Sequence, residues 1–131
     1  MQITQHFRLC EFTDSDTAIK HRIQNIPEPW HIDNIVLLCT NLLEPLRLLY
    51  GKEMVINSGF RVKELNSILP NSSETSDHMN GLAADIKCEN PKKLLDLLLK
   101  SDLEFDQAIL YPTFLHLSYR PMNNRNQVIY K

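Results

Sequence analysis

The sequence predicts an α+β domain, and three observations carry that expectation. Apolar residues recur at helical spacing from about His31 to Tyr50 and again from Lys92 to Leu99. Short β-branched or alternating segments, Met54–Arg61, Leu82–Lys87, Phe105–Leu110, Thr113–Tyr119 and Gln127–Tyr130, lie between and beyond those helices. The 131 residues contain no internal repeat, linker or low-complexity tract, so residues 1–131 read as one domain, long enough to bury a core without staples.

Taken in order, Phe7, Leu9 and Phe12 pin a short extended or turn element onto the core. Asp14 or Ser15 then caps a short helix through Ala18, Ile19 and Ile23 that ends before Pro27-Glu28-Pro29. Ile32, Ile35, Val36, Cys39, Leu42, Leu43, Leu46 and Leu49 form the apolar face of the first long helix. Pro45 must kink it or divide it in two, and Gly51 ends it. Met54–Arg61 reads as a strand running into a loop, Val62–Ile68 as a short helix, and Pro70–Ser76 as a surface loop. Asn90-Pro91 starts the Leu-rich helix, and Tyr111-Pro112 separates two of the last strands.

Composition excludes several roles. A net charge of −2 and a pI near 6.2, with no basic stripe, exclude a nucleic-acid partner. The apolar runs around Ile35–Leu49 and Leu94–Leu99 are broken by Asn41, Glu44, Arg47 and Asp96, so neither spans a bilayer. The N-terminal residues lack the pattern of a signal peptide, and the expectation is a soluble monomer, cytoplasmic as synthesised. Cys10, Cys39 and Cys88 are odd in number and unpaired in pattern, which suits a reducing compartment; all three are expected to be buried small hydrophobes.

The chemistry-bearing feature is Ser76-Asp77-His78-Met79-Asn80-Gly81-Leu82-Ala83-Ala84-Asp85, followed by Leu115-His116-Leu117-Ser118. His78, Asp85 and His116 supply the ligand set of an open catalytic zinc site: three ligands without cysteine, and a fourth position left for water. Strand alternation puts Asp85 with Ala83 on one face, and His116 with Phe114 and Ser118 on one face. If the two strands pair antiparallel, Asp85 and His116 can lie opposite each other, about 4.5 to 5.5 Å apart at Cβ. Gly81 can take positive φ and fold His78 back toward Asp85. A buried carboxylate in Ala-Ala-Asp-Ile needs a compensating cation or several donors, and the nearest sequence context supplies only Lys87, so a metal ion is one fitting partner.

These residues resemble the zinc D-alanyl-D-alanine carboxypeptidases and their relatives, the phage L-alanyl-D-glutamate endolysins, in compact form. The resemblance rests on Ser58-Gly59-Phe60-Arg61, Asn66, the run from Ser76 to Asp85, Phe105-Asp106-Gln107, Leu115-His116-Leu117-Ser118, and the flanking Leu9-x-Glu-Phe-Thr and Asn124-Arg125-x-Gln127. It covers nearly the whole chain. It implies a Hedgehog/DD-peptidase-like fold: a small, mostly antiparallel sheet carrying a zinc site, with the Ile32–Leu49 and Lys92–Leu99 helices packed on one side. It also implies His78, Asp85 and His116 as ligands of Zn2+, and Arg61 as the residue that grips a substrate carboxylate or carbonyl; a guanidinium does so with two parallel hydrogen bonds. Ser76 and Ser118 become substrate- or ligand-orienting hydroxyls.

One departure stands out. The family places a Glu or Asp a few residues before its last His, whereas here the stretch is Leu110-Tyr111-Pro112-Thr113-Phe114-Leu115. Tyr111 occupies that neighbourhood, yet a phenol with an ordinary pKa of about 10 is a poor base at neutral pH. Asp77 and Glu74 are the substitutes near the first ligand; Asp106 is expected to anchor a turn. The leading expectation is zinc-dependent hydrolysis of a peptide bond in the bacterial cell-wall stem peptide, by an enzyme released through lysis or a dedicated secretion route. The alternatives are a catalytically silent zinc module that binds cell-wall peptide or a protein, and a structural component of a phage or mobile element.

Overall fold

A computed structural model describes residues 1–70 and 72–131 of the chain. It opens with a hairpin of β1 (Gln2–Thr4) and β2 (Phe7–Arg8), continuing into helix α1 (Leu9–Thr13) where the sequence suggests only an extended or turn element. Glu11 reaches back to accept the Arg8 N–H at 2.6 Å, which closes the first turn of α1. Helix α2 (Asp16–Lys20) starts at Ser15, whose hydroxyl accepts the Ala18 N–H.

Pro45 divides the long apolar stretch as expected, and the division has a definite form. Helix α3 (Pro29–Leu38) passes into a π-helical turn, Cys39–Leu43, and then into α4 (Glu44–Tyr50). The Glu44 N–H donates to Cys39 O, five residues back, so the widened turn places Pro45 in the first turn of a new helix, where a missing N–H costs little. Gly51, at φ 72°, ends α4 in the left-handed conformation.

Strand β3 (Val55–Ser58) leads to α5 (Lys63–Ile68), a 3₁₀ turn (Asp77–Asn80), β4 (Ala83–Lys87), α6 (Pro91–Lys100), β5 (Gln107–Leu110), β6 (Leu115–Ser118) and β7 (Gln127–Tyr130). The predicted surface loop over 70–76 includes Asn71, which lies outside the described residues. The sheet order is β3-β4-β6-β5-β7, antiparallel throughout except where β7 runs parallel to β5. The fold is α+β with a mixed, mostly antiparallel sheet.

Alternation along β4 and β6 gives the sheet two chemically different faces. Ala84 pairs with Leu117 and Ile86 with Leu115, and all four are buried toward the core that also takes Leu42, Leu46, Leu94, Leu95 and Leu98. Removing each such leucine side chain from water contributes about 1.5–3 kcal/mol. Helix α6 lies against β5 and β6 and touches α4. Asp85 pairs with His116 on the opposite face. The cysteines depart from expectation: Cys39 is buried, but Cys88 is half-buried and Cys10 exposed, because Cys10 lies on the outer side of the short α1 whose buried residue is Phe12.

Candidate metal centre

Register alone sets Asp85 and His116 side by side, and the antiparallel pairing predicted for their strands is the one observed. His116 Nδ1 stands 2.8 Å from Asp85 Oδ1. His78 arrives from the 3₁₀ turn, whose start is capped by Ser76 Oγ accepting the His78 N–H at 3.2 Å. The turn ends at Gly81, φ 77°, where a Cβ would meet His31 O at 2.7 Å. Both the conformation and the close approach call for glycine. The result brings His78 Nε2 to 3.4 Å from Asp85 Oδ1.

His78 Nδ1 is 2.6 Å from the carbonyl of Gly59. A carbonyl only accepts, so Nδ1 carries the proton and Nε2 keeps its lone pair on the Asp85 side. One ligand atom from each of His78, Asp85 and His116 lies within 4.8 Å of the other two. Burial lowers the pKa of His78, against the raising influence of Asp85, and leaves the imidazole neutral at physiological pH. Burial opposes ionisation of Asp85, but the hydrogen bond with His116 leads the influences that outweigh it and hold the carboxyl well below the usual range. Two imidazoles and one carboxylate, with a hydrogen-bonded carbonyl fixing one ring, form a donor set that fits Zn2+.

Arg61 completes the group. Its Nε donates to Ser58 Oγ at 3.2 Å, one terminal nitrogen to Asn66 Oδ1 at 3.3 Å, and the other lies 3.5 Å from Asp85 Oδ2. The loop that carries it is fastened by Asn25, which accepts the Val62 N–H and donates to Phe60 O and Thr13 O. Asn66 is itself buried and donates to Ser73 O. The guanidinium is thereby aimed before any ligand arrives.

These side chains lie along a cleft of about 720 Å³. Tyr111, Asp77 and Ser76 also line it, and the Tyr111 ring stacks on Phe114 with centroids 4.4 Å apart. Ser118 does not. It is fully buried, and its hydroxyl accepts the Gln107 N–H at 3.0 Å, so it ties β6 to β5 instead of reaching a ligand. Asp106 is also fully buried, held by Arg125 through Nε at 3.0 Å and a terminal nitrogen at 2.7 Å. Among the described residues lining the cleft, Asp77 is the carboxylate besides Asp85.

A family model described as Peptidase M15 matches residues 5–118. The chain belongs to the Peptidase M15 family. That is a family of zinc-dependent peptidases, and the fit of the donor set to Zn2+ agrees with it. No curated protein sequence matches the chain significantly. No helix among the described residues of this M15 chain is long and apolar enough to cross a membrane. Arg120 and Arg125 also line the cleft, and the sequence pattern assigns neither of them a role there. The available signal was Asp106 itself, an acid at the mouth of an apolar strand that needs a cationic partner.

Proposed function

We propose that the protein hydrolyses a peptide bond of the bacterial cell-wall stem peptide, with Zn2+ held by His78, Asp85 and His116. The observation that carries this reading is the convergence of those three donors in a cleft with an aimed arginine. Zinc, when bound, supplies Lewis-acid polarisation of the scissile carbonyl and activation of water. Arg61 holds a substrate carboxylate or carbonyl in its planar fork, which limits rotation about the reacting bond. Gly59 O holds His78 in one tautomer, and Asn66 and Ser58 keep Arg61 in register. Asp77, next in sequence to His78 and on the cleft wall, takes the proton-handling role, and Tyr111 donates a hydrogen bond to the developing negative charge. The substrate partner is a small peptide; nucleic acid and membrane play no part, and the working form is a monomer that reaches the wall on lysis.

A second reading is favoured by one specific observation: Tyr111 stands where the family carries its acid or base. On that reading the cleft binds cell-wall peptide without cleaving it, or serves a phage or mobile element as a scaffold. Incubation of the zinc-loaded protein with peptidoglycan fragments, followed by mass spectrometry, decides the matter. New fragments lost on Asp77→Asn establish hydrolysis; tight binding without cleavage establishes the second reading, and absence of both rejects the cell-wall assignment.

A further inference from the structure

We propose that Arg120 and Arg125, braced by the buried carboxylate of Asp106, form a second anion-binding subsite on the cleft wall, which selects peptides carrying a carboxylate beside the one Arg61 holds. The proposal rests on the peptide-binding reading of the cleft and adds to it a demand on the ligand's charge.

Asp106 is 0% exposed and lies just before β5, while Arg120 follows β6 and Arg125 precedes β7. Three strand ends therefore deliver the cluster. Arg125 by itself satisfies the carboxylate, meeting Oδ1 through Nε and Oδ2 through a terminal nitrogen, with its own backbone N–H adding a third contact to Oδ1 at 3.3 Å. Arg120 brings Nε to 3.1 Å from Oδ2 as well, so two positive groups share one negative one. Neutralising Asp106 and closing the loop need only the first arginine.

Both guanidiniums remain about half exposed, at 45% and 49%, and both line the cleft. Each keeps N–H donors that Asp106 does not use, since a guanidinium has five. The other acid near Arg120 is Asp77, whose Oδ2 is 3.8 Å from a terminal nitrogen, beyond hydrogen-bonding distance and partly exposed, so it holds Arg120 weakly. Bracing by a buried carboxylate matters because it sets the direction of two long side chains before a ligand binds, which lowers the ordering cost. Arg120 is four residues beyond His116, at most about 13 Å of extended chain, so an anion there is within a few peptide units of a bond held at the metal ligands.

Two peptides that differ in one group test the proposal: L-Ala-γ-D-Glu-L-Lys-D-Ala-D-Ala, and the same peptide with D-isoglutamine, in which that residue's α-carboxylate is a carboxamide. Calorimetric titration of the full chain, zinc-loaded and chelated, is expected to show about tenfold tighter binding of the carboxylate peptide. Arg120→Gln, with its fold checked by thermal melting, should bring the two affinities within about twofold, and Arg120→Lys should restore part of the difference. Equal affinities in the wild type, or a preference intact in both Arg120→Gln and Arg125→Gln, overturn the subsite. If neither peptide binds, the cell-wall reading fails separately. The subsite is then judged by the NMR signals of the arginine Nε–H groups during titration with the γ-methylamide of N-acetyl-D-glutamic acid, which keeps the α-carboxylate, and the γ-methylamide of N-acetyl-D-isoglutamine, in which it is a carboxamide. Movement of the Arg120 and Arg125 signals by the acid alone upholds it, and no movement overturns it.

Discussion

Gly59 links the packing of the N-terminal helix to the candidate metal centre, and Gly59→Ala tests whether that link is real. A Cβ at this position would lie 2.7 Å from Phe12 Cα, 2.8 Å from Phe12 O and 3.0 Å from Phe12 Cβ. Carbon atoms settle at about 3.5–4.0 Å, so the two segments must part by roughly 0.5–1 Å. The two nearest atoms are backbone and the third is a Cβ fixed directly to it, and the Phe60 N–H donates to Phe12 O at 2.7 Å across the same gap, so no flexible side-chain end can yield. Overpacking of this kind costs about 1–3 kcal/mol. At roughly 4 °C per kcal/mol for a chain of this size, the melting temperature of the chelated protein should fall by about 4–12 °C. Displacing Gly59 also moves the carbonyl that fixes His78 Nδ1, and loss of such support weakens metal affinity by about 10–100-fold. Thermal melts in chelator and zinc affinity by competition with a chromophoric chelator measure the two effects independently. A variant that melts within 1 °C of wild type and binds zinc equally well refutes the reasoning.

Three further outcomes are expected. His116→Ala should reduce zinc from one equivalent to none by elemental analysis of the dialysed protein, and unchanged zinc content would reject the ligand assignment. Arg61→Lys should keep its zinc but lose about tenfold or more in peptide affinity or kcat/KM, because an ammonium cannot reproduce the contacts to Ser58, Asn66 and a ligand together; equal affinity would remove Arg61 from the substrate site. Acid should weaken the chelated protein in a defined window. Burial lowers the folded pKa of both His78 and His31 below the unfolded value of about 6.5, so the unfolded chain takes up protons first. This stability is complete above about pH 6.5 and is lost as the pH falls through the folded values. The urea midpoint should therefore drop between pH 7 and pH 5.5, and a midpoint that rises would contradict the burial of these rings.

Much of the scaffold was legible because its signals are local. Ser15 and Asn90 announce the starts of α2 and α6 through side-chain oxygens that accept the N–H three residues on, and Gly51 announces the end of α4. Pro45 marks a break, but nothing in the sequence says that the break takes the form of a π turn, since that depends on which carbonyls the neighbouring helix can leave unpaired. The parallel pairing of β7 with β5 is invisible for a similar reason: Gln107 meets Gln127 only once everything between them has folded. Cys10 and Cys39 have the same side chain and opposite burial, and only the side of the helix on which each falls separates them.

The metal centre divides along the same line. Period-two alternation puts Asp85 on one face of its strand and His116 on one face of its own, so an antiparallel pairing can set them opposite each other, and the register that does so is the one the sheet adopts. What holds them ready could not. The acceptor for His78 is a backbone carbonyl 19 residues away, and backbone carbonyls carry no sequence signature. Ser118 shows the converse. Its place beside His116 suggests a role toward the ligand, and a hydroxyl two residues from His116 is equally well placed to satisfy the neighbouring strand, where it accepts the Gln107 N–H. The lack of a carboxylate in the residues just before His116 follows the same logic. Tyr111 fills the space at that position and stacks on Phe114, while a carboxylate reaches the cleft by another route, from the turn that carries His78. Proton transfer asks for a group within reach of the reacting atoms and sets no requirement on its order along the chain. Asp77 and Tyr111 therefore have to be separated by substitution: Asp77→Asn abolishes cleavage if the carboxylate moves the proton, and Tyr111→Phe abolishes it if the phenol does.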